Sequence, residues 1–255
     1  MNLSTRLFAQ TGDNVGIAGF IITGNAPKKV IVRGIGPSLS KFGVPNPLAD
    51  PTLELRRADR SLIRSNDNWR DNQETEIKNS GIPPTEDLES AIVETLLPGN
   101  YTAILAGKNG GTGVGLVEVF DLDQASDSKL SNLSTRGFVQ TGSNVIIAGV
   151  ILGNNSAPTN IVVRGLGPSL AAFGISNVLA DPTLELHNGD GVIVISNNNW
   201  KDNSTQAALI AGKGLAPSND LEAAVSITLP PGFYTAVLAG KDNGTGVGLV
   251  EIYNK

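Results

Sequence analysis

Cysteine is absent from this chain, and methionine and histidine occur once each. Without thiols there is no disulfide, no thiolate metal site and no cysteine nucleophile. A histidine-dependent triad would rest on His187 alone, and no nucleophile motif accompanies it, so a surface strand residue is the expected role. Cationic charge is scarce too. Lys and Arg number 19 against 24 Asp and Glu, for a net charge of −5, which argues against nucleic acid or an anionic membrane as partner. No apolar run approaches the roughly 18 residues of a spanning helix, so no membrane insertion is expected. The first six residues lack a signal-peptide core, and a secreted form would have lost its signal already.

What the chain has in quantity is glycine, 30 residues, and proline, 14, on a background that is 40% hydrophobic and 17% charged. That is the composition of a globular, turn-rich and hence β-rich protein. The chain also repeats itself. Residues 2–24 run beside 132–154, 26–72 beside 157–203, and 81–122 beside 214–255, with 15 of 23, 27 of 47 and 25 of 42 positions identical. This likeness, 67 of 112 aligned positions, implies tandem duplication, and the two copies must share a fold. The intervening stretch 123–131 (Asp-Gln-Ala-Ser-Asp-Ser-Lys-Leu-Ser) is small and polar, as an exposed linker would be. The expected domains are therefore 1–122 and 132–255.

In the first copy, short Val- and Ile-rich segments at 16–23, 29–34, 52–57, 61–65, 91–97, 101–107 and 113–121 are separated by Gly, Pro, Asn and Asp turns. The second copy repeats them. This pattern predicts an all-β protein of two tandem antiparallel β-sandwich domains, jelly-roll-like in form, with short surface helices. The helices are expected at 37–42, where Pro37 follows Gly36, at 203–212, which opens on a polar cap and closes on Gly212, and at the counterpart 71–81.

Three features invite a chemical reading. Glycine runs such as Arg33-Gly34-Ile35-Gly36-Pro37-Ser38 and Gly113-Val114-Gly115 resemble phosphate loops, but Gly113 leads into a strand, which favours turns and close packing instead. The loop Asn66-Asp67-Asn68-Trp69-Arg70-Asp71-Asn72 offers hard oxygen ligands of the kind calcium takes, with Asp50, Glu54, Asp87 and Glu89 as further donors. Asp67, Asp71 and, in the second copy, Asp202 are the candidate metal ligands; Asn198 stands where the first copy has Asp67, so one charged ligand is lost. Asp87 and Glu89 also pose the question of a glycosidase acid pair, against which capping and surface roles are favoured. Finally, Trp69 with Asn68, and Trp200 with Asn199, occupy equivalent loop positions. Exposed, these indoles could stack on a sugar; otherwise a tryptophan here covers the end of a sandwich core with its N–H on a loop carbonyl.

The stretches Ile17-Ala18-Gly19-Phe20-Ile21-Ile22, Val32-Arg33-Gly34-Ile35-Gly36-Pro37-Ser38-Leu39, Leu48-Ala49-Asp50-Pro51-Thr52-Leu53-Glu54-Leu55 and Ser65-Asn66-Asp67-Asn68-Trp69 resemble a tandem repeat module of large secreted bacterial surface proteins, notably of the Verrucomicrobia. More loosely, the Pro-Gly-x-Tyr hairpin at 98–101 is similar to that of bacterial pre-peptidase C-terminal β-sandwich domains. The resemblance implies an extracellular or cell-surface, non-catalytic module. The expected function is structural or adhesive, as a filament or surface-assembly subunit that self-associates or meets other cell-surface proteins. The alternative is a carbohydrate-binding module using the two Trp loops.

Overall fold

The structure, a computed structural model, describes residues 2–153 and 157–254. Its contacts divide the chain into two compact units, Met1–Leu133 and Ser134–Lys255. The first contains β1 (Asn2–Ala9), β2 (Gly16–Thr23), β3 (Lys28–Ile35), β4 (Pro51–Arg57), β5 (Leu62–Asn66), helix α1 (Glu74–Asn79), β6 (Ser90–Leu96), β7 (Gly99–Gly107) and β8 (Gly113–Asp121). The second repeats them as β9 (Lys129–Val139), β10 (Ile146–Leu152), β11 (Thr159–Leu166), β12 (Pro182–Asn188), β13 (Ile193–Asn197), α2 (Ser204–Gly212), β14 (Ala223–Leu229), β15 (Gly232–Gly240) and β16 (Gly246–Asn254). The division falls inside β9.

In the first unit the antiparallel strands order as β1-β8-β3-β6 in one layer and β2-β7-β4-β5 in the other. This is the order of a jelly roll, eight strands folded as two Greek keys. The second unit has the same order, β9-β16-β11-β14 and β10-β15-β12-β13. The fold is all-β, and the sandwich is of the jelly-roll kind.

Alternation builds the core. In β1 every second residue is buried, and Leu3 and Leu7 are 1% exposed. Phe20 and Ile22 from β2, Leu53 and Leu55 from β4, and Ala103 and Leu105 from β7 supply the buried positions of the second layer. β3 departs from alternation because Val30, Ile31 and Val32 are all fully buried. Ile31 belongs to a second cluster with Trp69, Ile77 of α1, Ala91 and Val93, so the helix and the tryptophan cover the outer face of this layer. Val162, Trp200, Ile210, Leu215 and Ala224 form the equivalent cluster in the second unit.

The expected helices are present. Pro37–Phe42 is a 3-10 helix with Pro37 in its first turn, closed by Gly43 in the left-handed region at φ 73°. Asn203 caps α2, its side-chain oxygen accepting from the Thr205 and Gln206 amides at 3.1 Å each. The segment read as an exposed linker is exposed at Gln124, Ala125, Asp127 and Lys129 but anchored elsewhere. Ser128 is fully buried, its Oγ accepts from the Ala26 amide at 3.0 Å, Ser126 Oγ donates to Pro27 O at 3.1 Å, and residues 129–131 begin β9. Small polar residues suit that place because a hydroxyl meets the backbone groups of the half-buried Ala26 in the β2–β3 turn. A Cβ on Gly24 would lie 2.7 Å from the Ser128 Cα, so the turn is tight as well.

Candidate functional site

The chemistry-bearing residues gather where the Trp loop, the turn before β6 and the 3-10 helix meet. Trp69 follows β5, and its amide donates to Glu89 O at 2.8 Å. Its indole is 2% exposed, Nε1 donates to Glu86 O at 3.2 Å, and the Arg70 guanidinium lies 4.1 Å above the ring centroid. Trp200 repeats this: it is 8% exposed, Nε1 donates to Asn219 O at 3.2 Å, and Lys201 Nζ lies 5.1 Å from the ring. The reading of Trp69 and Trp200 as exposed sugar platforms is therefore corrected. Each closes the outer core, and a cation covers the ring. Asn68 and Asn199 are held locally: their Nδ2 groups donate to Asp71 Oδ2 (3.1 Å) and Asp202 Oδ2 (3.4 Å).

The glycine run beside this loop does bind an anion, and the anion is the chain's own. Glu89 is fully buried. Its Oε1 accepts from the Gly36 amide (3.2 Å), the Ser38 amide (3.0 Å) and the Ser38 hydroxyl (2.5 Å), while Oε2 accepts from the Glu86 amide at 3.3 Å. Glu222 does the same in the second unit, accepting from the Gly167 amide (3.0 Å), the Ser169 amide (2.9 Å), the Ser169 hydroxyl and the Asn219 amide (3.4 Å). Gly36 and Gly167 are required because a Cβ on either would lie 2.0 Å from the carbonyl oxygen of Leu48 or Leu179. A carboxylate that accepts several amide N–H bonds is stable when buried, since each bond is charge-assisted. The expected surface role of Glu89 is thus replaced by a buried one, and its capping role extends across 51 residues of sequence to Ser38. Asp87, by contrast, is exposed and pairs with Arg70 Nε at 2.6 Å. The two carboxyls do not face a common cleft; the open hollow of about 250 Å³ nearby is lined by Pro37 and residues 85–88.

The calcium candidates are likewise engaged by the chain. Asp67 Oδ2 lies 2.6 Å from Lys108 Nζ, with Asp50 Oδ2 at 3.7 Å from the same ammonium. The carboxylate hydrogen bonds hold the Lys108 ammonium above its ordinary pKa of 10.5. In the second unit Asp181 is 3.3 Å from Lys241 Nζ. Asn198 replaces Asp67 there; the amide orientation that satisfies both neighbours has its nitrogen donating to Asp181 Oδ1 (3.2 Å) and its oxygen accepting from Lys241 Nζ (3.1 Å). A lysine thus stands where a cation would. Asp71 and Asp202 are spent on Asn68 and Asn199, and no group of three or more Asp, Glu or His able to hold a metal occurs among the described residues.

His187 lies in β12, with Nε2 2.9 Å from Glu185 Oε2 and Nδ1 3.1 Å from Gly191 O. On the outer face of each first layer an arginine pairs with a carboxylate of the neighbouring strand: Arg33 with Glu118, Arg164 with Glu251. Arg33 Nη1 also donates to Ile82 O at 2.9 Å and its guanidinium lies 5.0 Å from the Phe120 ring. Burial pushes the Glu118 carboxyl above its ordinary 4.5, against the pull of Arg33. Sequence reading missed these buried partners of Glu89, Glu222, Glu118 and Glu251. The available signal was their identity in both copies, Glu118 and Glu251 inside otherwise apolar strands and Glu89 and Glu222 in the Asp-Leu-Glu turn just before one.

No protein-family model matches the chain, and no curated protein does. Solved structures with some likeness include that of the Sulfolobus turreted icosahedral virus, at 13% identity and TM-score 0.25, covering 100% of this chain and 88% of that one. A DUF4785 family protein of Legionella pneumophila has 12% identity and TM-score 0.26, covering 95% of this chain and 61% of that one. The VP2 subviral particle of infectious bursal disease virus has 11% identity and TM-score 0.21, covering 100% and 71%. Likeness at this level carries no argument, and the jelly-roll assignment rests on the strand order alone. No helix among the described residues is long and apolar enough to cross a membrane.

Proposed function

We propose that this protein is a non-catalytic structural or adhesive component of the bacterial surface or its exterior, acting through self-association or contact with other surface proteins. The observation that supports the reading is self-occupation. The anion nest holds Glu89 or Glu222, the acidic cluster holds Lys108 or Lys241, and the indoles of Trp69 and Trp200 close a core. In each unit the groups that would capture a ligand are used to fix loops, which is what a scaffold needs and an active site does not. The resemblance of the repeats to secreted surface-protein modules points the same way. The Trp-based carbohydrate reading loses its platform with the burial of both indoles.

Sedimentation velocity combined with electron microscopy, over a wide concentration range, tests the proposal. Assemblies or ordered oligomers are expected. Monodisperse monomers throughout would overturn self-association, and turnover of a polysaccharide or peptide substrate would overturn the non-catalytic reading.

A further inference from the structure

The two units share a fold, yet they finish one sheet edge in opposite ways. β5 and β13 are equivalent strands, each hydrogen-bonded among the described residues to one neighbour only, β4 and β12. An edge strand leaves alternate N–H and C=O groups unpaired and invites another strand unless charge or a clamp prevents it. In the first unit the edge is guarded. Arg64 of β5 is clamped to Glu94 of β6 at 3.0 Å, Arg56 Nη1 donates to Arg60 O at 2.8 Å, and Arg57 stands beside them. All four arginines are absent from the second unit, where the aligned residues are His187, Asn188, Gly191 and Ile195, and Glu94 becomes Ile227. What remains is Val192-Ile193-Val194-Ile195, with the first three 59%, 50% and 39% exposed and Ile195 and Ile227 half-buried.

Resting on the self-association reading above, we infer that β13 is the assembly edge, and that its occupant is β13 of a second copy of this chain, added antiparallel across a twofold axis. Charge decides the occupant. In an antiparallel twofold pairing residue i of one copy faces residue j of the other and j faces i, so a strand that carries no charge pairs with itself in any register without setting like charges side by side. From Val192 to Trp200 the chain carries no charged side chain, whereas the equivalent stretch of the first unit carries Arg64 and Asp67. An edge built for a charged peptide would keep a complementary charge; this one has shed its own. The apolar side chains on both faces of β13 would then cover one another as the backbone groups pair. The contact is isologous and closes at two copies, so β13 yields a dimer and any larger assembly needs a second surface.

The test uses the full chain in sedimentation velocity and light scattering. Wild type is expected to form a concentration-dependent dimer. Val194→Lys, which puts an ammonium group of each copy into the shared seam, and the double variant Ile195→Arg with Ile227→Glu, which copies the guard of the first unit, are each expected to weaken dimerisation at least about tenfold. Leu62→Lys on β5 should leave it unchanged. Hydrogen exchange gives a readout without mutation: amides of 192–197 slow as wild-type concentration rises, and those of 61–66 do not. Association that survives both β13 variants, with no concentration-dependent protection of β13, overturns this edge while leaving the self-association reading in place. Monomers at every concentration overturn both.

Discussion

Glu89 Oε1 lies 3.0 Å from the amide nitrogen of Ser38 and 2.5 Å from its hydroxyl, and Glu222 stands in the same relation to Ser169 with the amide at 2.9 Å. One carboxylate thereby ties the turn before β6 to the glycine turn that ends β3. Its removal leaves buried N–H groups without an acceptor. Glu89→Ala should cost about 3 kcal/mol or more, and Glu89→Gln, which keeps one acceptor oxygen, about 1–2 kcal/mol. Urea unfolding followed by fluorescence measures this, since each unit holds one tryptophan and a Trp200→Phe background reports on the first unit alone.

Burial of both indoles predicts tryptophan emission that is blue-shifted, poorly quenched by acrylamide, and red-shifted only on unfolding. Trp69→Ala should destabilise the first unit by about 3–5 kcal/mol, the range for removing a large aromatic from a core. Trp69→Phe should cost less, because the ring volume is partly kept while the Nε1 bond to Glu86 O is lost.

The Lys108 ammonium, held above its ordinary 10.5 by Asp67 and then Asp50, occupies the place a cation would take. Millimolar calcium and a chelator should both leave the melting temperature of wild type unchanged. Because the folded pKa is raised, this contact contributes fully below pH 10.5 and is lost as pH rises through the folded value. Lys108→Met should abolish that alkaline loss, and thermal melts from pH 9 upward, on the order of the ammonium range, would show it.

Glu118 is shifted in the same direction from a different cause. Its folded pKa lies above 4.5, chiefly through burial, so between 4.5 and the folded value the native state holds a proton that the unfolded chain has released. Its contribution is therefore fully present below pH 4.5 and declines as pH rises through that window. Carboxyl-carbon NMR should place Glu118 above the exposed carboxylates, and Glu74, held below its usual 4.5 by hydrogen bonds from Lys78 and Arg70, beneath them.

Much of the architecture was written in short-range pattern. The expected strand 16–23 coincides with β2 and 113–121 with β8, because Gly, Pro and Asn turns bound each apolar run. β1 was not anticipated: Asn-Leu-Ser-Thr-Arg-Leu-Phe-Ala alternates correctly, but its polar half reads as a tail until β8 is there to pair with it. The partners of Glu89 and Asp67 were illegible for a different reason. Ser38 and Lys108 are 51 and 41 positions away, and only the jelly-roll winding brings them together. The asymmetry between Arg64 and Ile195 was plain in the alignment, yet it acquires meaning only once both are seen on an edge strand.

The burial of Ser128 has a mechanical corollary. β1 and β8 are antiparallel neighbours with Leu3 opposite Val119, so both ends of the first jelly roll leave from the same end of one strand pair. Tension applied straight to such a pair would peel it open rung by rung, the weakest way to load a ladder. The chain leaving β8 is instead moored to a different strand and turn: Asp123 O accepts from Lys28 Nζ at 2.5 Å, Ser126 holds Pro27, and Ser128 holds Ala26. A pull from beyond Ser128 therefore strains the root of β3 before it reaches the seam of β8, and the tether acts as a strain relief for the sandwich.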